Sequence, residues 1–336
     1  MTRVAIMGSG SWGTAFAMVL ADGGSDVVIW GRDTDVARDI NLHHRNHAYQ
    51  PGIELPDRIS AVTAAAEATE GASLVVLALP AQVLRENLGS WGASVDSDAV
   101  LVSLIKGIEL GTTKRMSEVI VEAAGVSSER VAVISGPNLA REIAERQPAA
   151  TTVACADEAS ARRLQDACTT DYFRPYWTTD VVGTEIGGAV KNVIALANGI
   201  AVGMGLGENS QASLITRGLA EMARLGVALG ADPLTFQGLA GVGDLVATCQ
   251  SPLSRNRTFG ENLGRGLSVE QTIAVTRQTC EGYKSCQPIL ALAREHGVDM
   301  PITAQVVEVV HHGQSPRRMA SAFMSRDTKA ESVIVE

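Results

Sequence analysis

Thr184 to Gly207, TEIGGAVKNVIALANGIAVGMGLG, runs without a proline through Ala, Ile, Val and Gly. Such a stretch has three folded outcomes: a membrane span, a buried core helix, or a helix that carries a site on its inner face. Glu185, Lys191, Asn192 and Asn198 argue against the membrane, because each is costly in hydrocarbon. Lys191 then has two readings. A lysine in an apolar helix ordinarily carries its ammonium to the surface on a flexible stem. Kept buried, it loses proton affinity by desolvation and becomes a usable acid or base near neutral pH. That makes Lys191 the candidate catalytic residue.

The chain has 336 residues, 46% hydrophobic and 19% charged, which suits two domains with a large core. With 28 basic and 37 acidic residues the net charge is -9, so neither nucleic acid nor anionic lipid is an expected partner, and an anionic substrate needs a local basic pocket. Cys155, Cys168, Cys249, Cys280 and Cys286 are odd in number and form no C-x-x-C pair. Neither a disulfide framework nor a zinc knuckle is expected, and the cytoplasm suits them. The opening MTRVAIMGSG enters a strand without an apolar signal region, which argues against export.

Val4 to Met7 is a short apolar run, Thr14 to Ala21 has helical composition, and between them lies Gly8-Ser-Gly10-Ser-Trp-Gly13. Alone, such a motif is an ordinary glycine turn as readily as a ligand loop. Placed between strand and helix, its glycines allow a tight turn and a close backbone approach to a pyrophosphate at the helix amino terminus. The next strand, Asp26 to Trp30, leads to Gly31-Arg32-Asp33. Arg32 can pair with a 2'-phosphate and favours NADP, while Asp33 keeps NAD open. His43, His44 and His47 have no fourth ligand nearby, so a solvated or ribose-facing loop is expected in place of a metal site, with Tyr49 beside the adenosine.

Alternation continues with strands at Ile59 to Val62, Ser73 to Leu79, Ala99 to Ile105 and Arg130 to Ile134, and helices at Ala64 to Glu70, Pro80 to Leu88 and Thr112 to Ala124. Ala149 to Ala154 and Tyr172 to Thr178 read as further strands around a helix from Ala159 to Cys168. This is an α/β pattern, a doubly wound parallel sheet of Rossmann type over residues 1–183. Lys106-Gly107 and Ser135-Gly136-Pro137-Asn138-Leu139-Ala140 follow strands, at the edge where such sheets bind ligands; a surface lysine is the bland alternative for Lys106.

Residues 184–336 read as a helical domain for substrate and catalysis. Asp232-Pro233 starts a helix, and Gly241-Val-Gly-Asp244 is a turn that presents a carboxylate. Ser254 can cap a helix whose first turn holds Arg255 and Asn256, a phosphate clamp in outline or else an ordinary surface cap. Ser268-Val-Glu-Gln271 is a capping box, and Thr279-Cys280-Glu281-Gly282 breaks the pattern before another helix.

In order along the chain, GSGSWGTAFA, LIKGIE, SGPNLA, EIGGAVKNVIALANGI, LAGVGDLVATC and SPLSRNRTFG resemble the bacterial NAD(P)-dependent sn-glycerol-3-phosphate dehydrogenases, over essentially the whole length. The resemblance implies hydride transfer between NADP(H) or NAD(H) and C2 of a small phosphorylated triose, dihydroxyacetone phosphate or glycerol 3-phosphate, with no metal. It implies Lys191 as proton donor and acceptor. Lys106, Gly136, Asn138, Lys191, Asp244, Ser254, Arg255 and Asn256 would line the substrate. Gly8, Gly10, Ser11, Trp12, Gly13, Arg32, Tyr49, Lys106, Ala140, Arg255, Thr279 and Glu281 would touch the dinucleotide. The family role is to supply the glycerol phosphate backbone of phospholipids. A homodimer is compatible with the sequence, which does not set the oligomeric state.

Leu139 and Thr279-Cys280 depart from the family pattern without removing a charge. The rival functions are a related two-domain dehydrogenase for a hydroxy acid or a ketopantoate-like substrate, which an empty phosphate clamp would favour, and a nucleotide-sensing protein without catalysis.

Overall fold

A computed structural model describes residues 2–276 and 280–325. Two units emerge: Met1–Ile105 with Met116–Val181, and Lys106–Arg115 with Val182–Glu336. The sequence pattern alone assigns Lys106–Arg115 to the first domain, whereas its contacts group it with the second.

In the first unit, eight strands form one sheet: β1 (Arg3–Met7), β2 (Asp26–Trp30), β3 (Ile59–Val62), β4 (Leu74–Leu77), β5 (Val100–Ser103), β6 (Val131–Ser135), β7 (Ala149–Cys155) and β8 (Phe173–Thr178). Their order is β3-β2-β1-β4-β5-β6-β7-β8. The expected parallel sheet needs one correction. β6 and β7 pair antiparallel, because the chain turns back through a five-residue helix too short for a full crossover. Both faces of the parallel part are covered: Val4 and Ile6 enter one apolar cluster, Ala5 and Met7 the other. That is why these strands are continuous apolar runs without alternation. The order reverses between β1 and β4, the switch point where such sheets bind ligands at their carboxyl edge.

The helices of this unit are α1 (Ser11–Asp22), α2 (Thr34–His43), α3 (Ala65–Thr69), α4 (Leu84–Trp91), α5 (Met116–Ala124), α6 (Ala140–Ala144) and α7 (Glu158–Ala167). α1 starts three residues before the expected Thr14, with Gly10 as its N-cap. α4 starts four residues after Pro80, behind a single 3-10 turn at Ala81–Val83. The expected helix from Thr112 begins only at Met116. Its would-be first turn closes a short antiparallel bridge between Ile108 and Arg115.

The second unit holds α8 (Val181–Gly203), α9 (Glu208–Ala228), α10 (Asp244–Gln250), α11 (Arg255–Gly264), α12 (Val269–Thr276), α13 (Glu281–Glu295), α14 (Pro301–His312) and α15 (Pro316–Met324). α8 is long and apolar enough to cross a membrane, yet 89% of its most apolar window is buried inside the protein. Small residues explain how. A Cβ at Gly199 or Gly203 would collide with backbone oxygens of Arg257 and Glu261 on α11, and one at Gly260 or Gly264 of α11 would strike those of Leu196 and Ile200 on α8. Glycine on both partners lets the two backbones approach where any side chain would hold them apart. The anticipated capping box is present, with Gln271 N donating to Ser268 Oγ and Ser268 N to Gln271 Oε1.

Candidate active site

In the first unit β1 ends at Met7, and Gly8 turns the chain with φ of 132°. A Cβ at Gly8 would strike Ala78 O just beyond β4, and one at Gly13 would strike Gly8 O. Gly10 differs, because a Cβ there would meet nothing within 4 Å. The protein's own packing demands two of the three glycines, while the third leaves open a backbone approach at the start of α1. No side chain caps that helix end, and Trp12 Nε1 is buried without a hydrogen-bond partner. Open space, free backbone donors and an orphaned buried donor fit a dinucleotide pyrophosphate.

The neighbouring loop is tied to this turn. Ser11 Oγ donates to Tyr49 O at 3.0 Å. Gln50 Nε2 donates to Ser11 O and to Ala140 O, at 3.1 and 3.2 Å. Asn46 Nδ2 donates to Ser9 O and Thr14 Oγ1, at 2.9 and 2.8 Å. Asn46 and Gln50 are buried amides in a stretch that reads as a solvated loop, and nothing in the local sequence marks them. His44 is the left-handed cap of α2, with Nε2 3.9 Å from Asp57 Oδ1. No group of three His, Cys, Asp or Glu side chains among the described residues can hold a metal.

At the end of β2, Asp33 Oδ1 accepts from Asp35 N and Val36 N and so caps α2. Arg32 is exposed and makes no hydrogen bond or ion pair among the described residues. The acid at this edge is engaged by its own helix, while the guanidinium is available to a phosphate. After β6, Asn138 Nδ2 donates to Thr151 Oγ1 at 2.8 Å, and Asn138 Oδ1 is buried with its acceptor capacity unspent. Gly136 lies against Thr151, which a Cβ there would approach to 3.0 Å.

The second unit brings together three charges from distant parts of the chain. Asp244 Oδ2 accepts from Lys106 Nζ at 2.6 Å, and its Oδ1 lies 2.9 Å from Lys191 Nζ. The side chains are nearly closed off, at 13% exposure for Lys106, 9% for Lys191 and 1% for Asp244. Lys191 is therefore no surface lysine. Its Nζ also donates to Thr248 Oγ1 at 2.7 Å, which leaves one of three ammonium donors for a ligand oxygen. Burial pushes Lys106 down to about 8, and the neighbouring Lys191 adds to that, even though Asp244 favours its proton. Burial would raise the Asp244 carboxyl, but the two ammonium groups outweigh it and hold it below the usual carboxylate range. Two amines on one carboxylate form a local basic cluster in a chain of net charge -9.

Asp244 owes its place to a π-turn at Leu239–Gly243, which feeds straight into α10. Ala240 O in that turn lies so close to Gly187 of α8 that a Cβ there would collide with it. Single π-turns inside helices recur at functional sites because they re-aim a side chain. Thr248, four residues after Asp244 on α10, donates back to Asp244 Oδ1 at 3.2 Å. Sequence reasoning missed it, although its i, i+4 spacing from a candidate carboxylate was visible.

An amide chain surrounds the cluster. Asn192 Nδ2 donates to Lys106 O at 3.1 Å, and Asn256 Nδ2 to Asn192 Oδ1 at 2.8 Å. Asn256 Oδ1 accepts from Gly282 N and Cys280 Sγ, which fixes its amide with nitrogen toward Asn192. Ser254 caps α11 by accepting from Arg257 N, and Arg255 takes the first helical position. Glu281 opens α13. Thr279, expected beside the nucleotide, lies outside the described residues.

Two family models match the chain in succession. The family model described as NAD-dependent glycerol-3-phosphate dehydrogenase N-terminus matches residues 3–161, and its C-terminal counterpart matches 180–321. A protein of Streptomyces griseus named glycerol-3-phosphate dehydrogenase [NAD(P)+] is 63% identical over 329 residues, 98% of each chain. One of the same name from Corynebacterium glutamicum is 57% identical over 332 residues, 98% of this chain and all of that one. The crystal structure of glycerol-3-phosphate dehydrogenase from Coxiella burnetii superposes with a TM-score of 0.92 at 35% identity, covering 96% of this chain and 98% of that one.

Proposed function

Because the chain belongs to the NAD-dependent glycerol-3-phosphate dehydrogenase family, we propose that Lys106, Lys191 and Asp244 are the groups with which it performs that reaction. The enzyme is an NAD(P)-dependent oxidoreductase that interconverts dihydroxyacetone phosphate and sn-glycerol 3-phosphate; a hydroxy-acid or ketopantoate activity is not favoured. The observation that carries the residue assignment is the buried Lys106–Asp244–Lys191 cluster.

A nicotinamide cofactor held by the glycine turn would supply the hydride chemistry at C2. Lys191 gives its proton to the C2 oxygen during reduction and takes it back during oxidation, using the ammonium donor that Asp244 and Thr248 leave over. Asp244 orients both amines and favours the proton on Lys106. Lys106 adds positive charge to the field that stabilises the developing alkoxide. Arg255 and the start of α11, with Asn256 and Ser254, hold the phosphate. The glycine turn, Ser11, Trp12, Tyr49 and Ala140 hold the dinucleotide, with Arg32 on its ribose. The same reading gives a cytoplasmic enzyme that is not inserted in a membrane, in line with the burial of α8.

Two experiments test this reading. Arg255→Ala should sharply lower kcat/KM for dihydroxyacetone phosphate and change the small activity on unphosphorylated dihydroxyacetone much less, because phosphate binding energy also positions the distant C2. Both assays run at saturating NADPH, and equal loss on both ketones would remove Arg255 from the phosphate. Arg32→Ala should weaken NADPH more than NADH, by about 10- to 150-fold, the equivalent of a lost charge-assisted contact of about 1.5–3 kcal/mol. Equal losses for the two cofactors would sink the 2'-phosphate role.

A further inference from the structure

Lys106 does not project from a rigid strand or helix. It begins a ten-residue strap, Lys106–Arg115, that follows β5, precedes α5 and packs with the helical unit. The strap carries Ile108, fully buried in the apolar cluster around α8. Ile108 and Arg115 pair antiparallel, so its two ends run side by side. At one end Asn192 Nδ2 holds Lys106 O. At the other, Arg115 Nη1 meets Glu185 Oε2 at 2.7 Å, with side-chain exposures of 16% and 4%. Glu185 and Asn192 are seven residues apart on α8, two turns, and therefore on one face of that helix. Lys191 stands beside Asn192 on the same helix, so α8 carries both an amine of the cluster and the pins for the strap that carries the other.

Withdrawing Glu185 and most of Arg115 from water carries a desolvation cost that their attraction need not repay, so the pair is poorly explained by stability alone. Ile108 already anchors the strap, but an apolar contact tolerates sliding, whereas a guanidinium on a carboxylate fixes distance and direction. We propose that Arg115 and Glu185 are positioning residues: their ion pair fixes the strap on α8 and so holds the Lys106 ammonium on Asp244. The inference rests on the reading that Lys106 serves the reaction. Neither Arg115 nor Glu185 touches a reacting atom in this scheme; each acts through Lys106.

The test is steady-state kinetics of the full-length enzyme at saturating NADPH, with dihydroxyacetone phosphate varied as pH is raised through about 8, where Lys106 loses its proton. Asp244 and Lys191 are the charged groups that face it. Arg115→Ala and Glu185→Gln should each lower kcat/KM by about 10- to 100-fold, the usual consequence of displacing a reacting group by about an ångström. The alkaline fall in activity should move from about 8 toward the ordinary 10.5, because a loosened Lys106 regains water. The double variant should lose no more than the worse single one, and NADPH binding, read by nicotinamide fluorescence, should persist. Arg115→Lys keeps the charge and serves if Arg115→Ala does not fold. Variants that melt at lower temperature but keep the parental kcat/KM and alkaline limb would overturn the inference, leaving the pair as structural. Lys106→Ala separates the two claims. If it keeps full activity, the site reading fails; if it is inactive while the pair variants are normal, only the positioning role fails.

Discussion

Lys191→Ala should lower kcat by about a hundredfold or more while NADPH still binds, since general acid catalysis contributes on the order of 10² to 10⁴. The structure sharpens this expectation in two ways. Lys191 Nζ is already held by Asp244 Oδ1 and Thr248 Oγ1, so its remaining donor has a fixed direction before any substrate arrives. Lys106 sits on the other oxygen of the same carboxylate and could act as a substitute amine. Only the double variant Lys106→Ala with Lys191→Ala would then reach the full loss. Single-turnover rates separate chemistry from binding, and a Lys191→Ala enzyme that turns over at the parental rate would return this lysine to a structural role.

Asp244→Asn should damage both stability and activity, because it keeps the shape of the side chain and removes the one negative charge between two buried amines. Removing one partner of a buried charged cluster costs about 3–5 kcal/mol. The pH dependence has a definite sign. In the parent, Asp244 lies below its ordinary value of 3.8, so it contributes stability above that value that is lost as pH falls through its folded-state value. Lys106 is lowered from 10.5 to about 8, so between these values the unfolded chain binds the extra proton and stability rises with pH. Without the carboxylate the cost of keeping Lys106 charged is larger. The deficit of the variant should be full near neutrality and shrink as Lys106 sheds its proton on the alkaline side. Denaturant melts of parent and variant over that range measure it; a deficit independent of pH would mean that the carboxylate matters for packing and not for charge.

Part of the site was legible because its residues announce themselves locally. A glycine turn between an apolar run and a helix has few alternatives, and Ser254 before Arg255 and Asn256 is a helix start on composition alone. Lys191 is conspicuous as an amine in an apolar helix, although its neighbours alone favour the surface. The misplaced starts of α1, α4 and α5 have a common cause. Helix ends are set by which backbone N–H groups find partners, and Gly10, the turn at Ala81–Val83 and the bridge between Ile108 and Arg115 settle this through contacts that a propensity argument does not contain. The antiparallel entry of β7 is likewise decided by the short α6 and not by the composition of either strand.

By itself the sequence determined the kinds of element, a sheet unit followed by a helical one, and the glycine turn between β1 and α1, because period, glycine placement and capping are properties of a few neighbouring residues. Only the tertiary structure decided that Lys106, Lys191 and Asp244 share a buried carboxylate, that Thr248 and Asn192 belong with them, and that Lys106–Arg115 folds with the helical unit. These depend on groups as far as 138 residues apart being desolvated together. Burial and distance between remote side chains set a lysine's proton affinity, and neither is written in the residues beside it.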